Sequence, residues 1–90
     1  MYQIKKTSKF VDDYIRLKKA GYDIESLRVV VDLLAAGEPL PEEYDDHVLV
    51  RNWTGYRECH IEEDWLLIYR PHKTKPLITL TRTGTHTELF

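Results

Sequence analysis

Apolar and polar side chains alternate over residues 2–6 (YQIKK), which predicts a short strand with Tyr2 and Ile4 facing inward. Thr7 or Ser8 then offers a helix N-cap, and Phe10, Tyr14 and Leu17, with Val11 and Lys18 beside them, form a helical stripe that ends at Gly21. This helix is amphipathic, and Lys9, Arg16 and Lys19 are expected to face solvent or a partner. Asp23 caps a second helix in which Ile24, Leu27, Val31 and Leu34 recur at helical spacing, with Gly37 before Pro39 ending it. The short connection between the two helices predicts an antiparallel hairpin.

The stretch EPLPEEYDDH holds Pro39, Pro41 and five acids, and reads as a surface connection from helices to sheet. A meander follows: HVLVRN, YRECHIE, WLLIYR and PLITLTRT, with turn chemistry at 52–55, 62–64 and 71–76. Because strand side chains alternate between faces, Tyr56, Glu58 and His60 share one face, and Cys59 and Ile61 the other. The Cys59 face is expected to pack on the helices, leaving Glu58 and His60 on the open face. In the last strand Ile78 and Leu80 lead to Arg82 on the same side, and Gly84 permits a bend that returns His86 over the sheet. The predicted class is α+β: an N-terminal strand and helical hairpin on one face of a small, mostly antiparallel twisted sheet.

Ninety residues suit one domain, spanning 1–90, with one core and one site. With Cys59 as the single cysteine, neither an internal disulfide nor a multi-thiolate zinc site is available, so a reducing, cytoplasmic setting is expected. The N-terminus lacks the apolar segment of a secretion signal, and the apolar run from Trp65 to Tyr69 is too short to span a bilayer. The formal charge of −2 is unevenly spread. Residues 1–22 carry six basic against two acidic residues (+4), 23–46 one against eight (−7), and 47–90 six against five (+1). Two basic blocks thus flank an acidic one, leaving local binding of a polyanion open.

Three of the four histidines lie in segments expected to converge on one sheet face. His47 follows Asp45 and Asp46, His60 lies between Glu58 and Asp64, and His86 follows Arg82; His72, in the turn PHKTKP, has no such company. Imidazole titrates near neutrality, so paired histidines can remove one proton and deliver another in a single reaction. Cleavage of RNA without a metal needs that set: a base for the ribose 2′-hydroxyl, an acid for the departing 5′-oxygen and a cation for the phosphorane. The bland alternatives are a surface His47 capping the acidic loop, a His60 bonded to Glu58, a salt-bridged Arg82 and a Phe90 that closes the core. A zinc site drawn from His47, His60 and His86 with Asp64 or Glu58 competes, but no HExxH or CxxC spacing supports it, so no metal or cofactor is expected. Cys59 is expected to point into the core, where a thiol is inert.

The run DHVLVRNWTGYRECHIEEDWLLIYR, followed by LTRTGTHTELF, resembles the YafQ group of toxins within the RelE/ParE superfamily. The helical hairpin and its spacing are similar too, so the resemblance spans nearly the whole chain. It implies a RelE-like fold and the toxin of a type II toxin-antitoxin system, a ribosome-dependent endoribonuclease that cuts messenger RNA. It also implies a cognate, DinJ-like antitoxin and a toxin-antitoxin hetero-oligomer. By the same resemblance His47, His60, Asp64 and His86 are the catalytic positions, with His86 as general acid and Asp64, His47 or His60 as base. Arg82, Phe90 and Glu58 are implied in RNA contact, Glu58 standing where the most familiar member has aspartate. ParE-like members of the superfamily instead poison DNA gyrase by binding, and generally lack this histidine and acid cluster.

Overall fold

The computed structural model describes residues 1–90. Strand β1 (Gln3–Lys6) leads into α1 (Ser8–Lys19) and α2 (Ile24–Ala35). Strands β2 (His47–Val48), β3 (Arg57–Glu62), β4 (Trp65–Pro71) and β5 (Leu77–Gly84) follow, and the chain closes with a single helical turn, α3 (His86–Leu89). The sheet order is β1-β5-β4-β3-β2; β1 runs parallel to β5 and every other neighbour pair is antiparallel. No helix is long and apolar enough to cross a membrane.

Both expected N-caps are present: the side chain of Thr7 accepts from the Phe10 N–H, and that of Asp23 from the Glu25 N–H. Thr7 also donates its hydroxyl proton to the Thr81 carbonyl at 2.8 Å, which fixes the start of α1 to β5. Phe10, Leu17, Leu27, Val30 and Leu34 of the helices pack on Cys59, Ile61, Trp65, Leu67, Tyr69, Ile78 and Leu80 of the sheet. Burial pushes the Cys59 thiol far above its usual range, as its inward position required.

Four expectations need correction. The segment HVLVRN pairs as a strand only at His47 and Val48, although the Leu49 N–H still donates to the Tyr56 carbonyl. Arg51 takes a left-handed conformation (φ 60°), which ends the extended run and opens a 3-10 turn over Arg51–Trp53. Arg82 does not continue the Ile78 and Leu80 face: Tyr69 pairs with Leu80 but Ile68 pairs with Arg82, so Thr81 is the extra residue of a bulge that inverts the alternation. Arg16 is not free, since it bonds to Asp13 and Glu88. Finally, the sheet face opposite the helices is not bare. Leu66 and Ile68 are buried there beneath Leu89, with Leu49, Trp53 and Tyr56 packed around them.

Candidate active site

The register of two short strands sets the centre of the site. His47 on β2 lies directly opposite Glu58 on β3, so both project from the same face, and His60 follows two residues along. The acidic connection is held in place by Asp46, which accepts from the Arg57 guanidinium and the Tyr69 hydroxyl. Asp45, in a left-handed conformation that a short polar side chain tolerates, then turns the chain so that its carbonyl lies 2.7 Å from Nδ1 of His47.

Glu58 is only 5 % exposed. Its Oε2 lies 3.0 Å from Nε2 of His47 and 3.9 Å from Nε2 of His60, while Oδ2 of Asp45 lies 3.8 Å from the same His60 nitrogen. Both ring nitrogens of His47 therefore face oxygen atoms. The three rings form a row, with centroids 6.3 Å apart from His47 to His60 and 5.9 Å from His60 to His86.

His86 is delivered by α3, after Gly84 and the capping box of Thr85 and Glu88. Oδ1 of Asp64, in the β3–β4 turn, accepts both the backbone N–H of His86 (3.2 Å) and its Nδ1–H (2.9 Å). The side-chain bond to His86, joined by the backbone one, holds the Asp64 carboxyl below the usual carboxylate range. A carboxylate on Nδ1 fixes the tautomer and leaves Nε2 for the reacting atoms. Phe90, 57 % exposed, lies 6.2 Å from His86 and 5.8 Å from Trp53, measured between ring centroids.

All four expected acid and base residues thus meet, together with Glu58 and Phe90. Arg82 stands differently: its Nε and Nη2 donate to Asp13 of α1 at 2.7 and 3.2 Å. Asp13 was not among the expected site residues; it is 3 % exposed and also accepts from Arg16 and the Thr83 N–H. Its signal was a lone acid on the apolar stripe, between Phe10 and Leu17. Trp53 beside Phe90 was missed as well, as was α3, although Thr85-x-x-Glu88 is a capping-box spacing. Glu58, His60 and His86 could also hold a cation, because one ligand atom from each lies within 4.8 Å of the others.

A helical hairpin on a small sheet, with histidines and acids gathered beside the C-terminal turn, defines a small α+β protein with a cluster of acid and base groups. The chain belongs to the YafQ family, bacterial toxins of type II toxin-antitoxin systems, whose family model matches residues 2–90. It is 40 % identical over 88 residues to the mRNA interferase toxin YafQ of Escherichia coli, covering 97 % of this chain and 94 % of that one. Among solved structures, a metal-bound toxin from Helicobacter pylori superposes with a TM-score of 0.93 at 40 % identity, covering both chains completely. YafQ in the E. coli DinJ-YafQ complex superposes with a TM-score of 0.91 at 38 % identity, covering 100 % of this chain and 99 % of that one. The α+β architecture expected from the sequence is that of these relatives.

Proposed function

We propose that this toxin is an endoribonuclease that cuts messenger RNA on the ribosome by general acid and base catalysis without a metal. The observation that carries this reading is the row of three imidazoles, each backed by a carboxylate: His47 and His60 by Glu58, and His86 by Asp64. His60 takes the proton of the ribose 2′-hydroxyl. It is assigned as the base because Asp64 is committed to His86 and both nitrogens of His47 have close oxygen partners, at 2.7 and 3.0 Å, whereas His60 turns only Nε2 toward Asp45 and Glu58, at 3.8 and 3.9 Å. The 2′-oxygen bonds to phosphorus, the bond from phosphorus to the 5′-oxygen breaks, and His86 protonates that oxygen from Nε2. The products are a 2′,3′-cyclic phosphate and a 5′-hydroxyl.

His47 stabilises the charge gathering on the phosphorane, and Arg82 offers Nη1, the nitrogen not turned to Asp13, to a phosphate oxygen. Glu58 orients His47 and His60 beside the RNA. Phe90 stacks on an unpaired base, as exposed aromatics do for single-stranded RNA. A cation held by Glu58, His60 and His86 would take one ring nitrogen from each of the two histidines assigned to the proton transfers.

In the cell the reading places the toxin in the cytoplasm, bound and silenced by a cognate antitoxin as YafQ is bound to DinJ in the E. coli complex. The test adds the protein, stripped with EDTA and returned to chelator-free buffer, to a translating extract with a defined message. Primer extension should show cuts placed relative to the reading frame that vanish when translation is blocked. An intact message, or equal cutting of untranslated RNA, would overturn ribosome-dependent cleavage.

A further inference from the structure

His86 sits on α3, a helical turn of four residues, and so short a helix has no stability of its own in water. Its geometry is imposed by neighbours. Asp64 holds it from the β3–β4 turn, and Leu89 is buried on Leu66 and Ile68. On the other side Glu88 uses both carboxylate oxygens: Oε1 accepts the Thr85 N–H at 2.8 Å, and Oε2 accepts from Nε of Arg16 on α1 at 3.2 Å.

We propose that Arg16 and Glu88 are positioning residues for His86, an ion pair that ties α3 to α1 and fixes where the imidazole meets the leaving oxygen. The inference rests on the assignment of His86 as the acid. Exposed ion pairs between two flexible side chains contribute little, but Arg16 is already anchored: its Nη1 donates at 2.8 Å to the buried carboxylate of Asp13. Gly84 is the second observation. A Cβ there would lie 2.7 Å from Oε1 of Glu88 and 3.1 Å from Nη2 of Arg16, so the pair closes over this residue because it carries no side chain. The bond from the Thr85 N–H, and then the Arg16 guanidinium, hold the Glu88 carboxyl below the usual carboxylate range, so it remains a charged acceptor at neutral pH.

Two classes of variant separate the capping box from the ion pair. E88A removes both; E88Q keeps the oxygen that caps Thr85 and loses the charge while leaving the Arg16 bond to Asp13 in place, and R16A keeps the capping box but loses the pair together with that bond. With saturating programmed ribosomes, E88A should lower kcat about tenfold, and E88Q and R16A about threefold, each with KM near wild type, because a misplaced catalytic group costs rate rather than binding. R16K should recover most of the loss, and R16A/E88Q should be no worse than either single change, since the two residues act as one unit. Nitrogen NMR of the His86 ring should show its single tautomer giving way to exchange in E88A. Wild-type kcat in E88A, or an unchanged His86 spectrum, would overturn the proposal. H86A distinguishes the levels: if it is inactive while E88A and R16A are wild type, only the positioning role fails, and if it still cuts, the assignment beneath it fails as well.

Discussion

Replacing His86 with alanine is expected to reduce message cleavage by about 10²- to 10⁴-fold, the usual contribution of a general acid. The loss should fall on kcat, because the proton is needed when the phosphorus to 5′-oxygen bond breaks and not when RNA binds. Stability should hardly change: the His86 side chain is half exposed, and its pair with Asp64 lies at the surface. Antitoxin binding by H86A at wild-type strength would show the fold intact. A folded H86A protein that cleaves at near-wild-type rate would remove His86 from the mechanism.

Asp13→Ala is expected to cause the largest change in stability. Asp13, itself buried, joins α1 to β5 by accepting from Arg82 through two nitrogens, from Arg16 and from the Thr83 N–H. Its removal leaves Arg82 and the Thr83 N–H without their acceptor, while Arg16 keeps Glu88, at a cost of about 3 kcal/mol. In a domain of this size that is a fall in Tm of about 12–24 °C. Burial alone would raise the Asp13 pKa, but the bonds from Arg82, Arg16 and Thr83 outweigh it and the net shift is downward. A lowered folded pKa means that the contribution is complete above the unfolded carboxylate value and is lost as pH falls through the folded one. Denaturant melts should therefore show a wild-type advantage over D13A that is constant near neutrality and shrinks only in strong acid. A D13A protein within about 0.5 kcal/mol of wild type would show that the network is incidental.

Much of this architecture could be read along the chain because it is encoded locally. Thr7 and Asp23 cap their helices through bonds only a few residues long, and the alternation of Glu58 with Cys59 assigns the faces of β3 by geometry alone. His60 and Glu58 are therefore legible as residues of one sheet face, and so as candidates for the site, from the order of residues in one strand. What stayed hidden depends on pairing between distant segments. The bulge at Thr81 arises where β5 meets β4, and it reverses the face of Arg82. The partner of Arg82 is Asp13, 69 residues away, and no periodicity connects them. Helix α3 escaped notice because four residues are too few to show a helical repeat, although the spacing of Thr85 and Glu88 was visible. The alternative in which Phe90 closes the core does not hold, since Leu89 is the buried residue and Phe90 lies on the surface beside Trp53.

If the imidazole row moves protons while the RNA supplies its own nucleophile, the chemistry of the cut ends must show it. The decisive measurement uses reconstituted ribosomes programmed with a short message and mass analysis of both fragments. The expected products are an upstream fragment ending in a 2′,3′-cyclic phosphate and a downstream fragment beginning with a 5′-hydroxyl, with no cut when the nucleotide at the cleavage site carries a 2′-deoxyribose. A 3′-hydroxyl with a 5′-phosphate, or undiminished cutting at the deoxy position, would contradict this mechanism, because the attacking oxygen would then come from water.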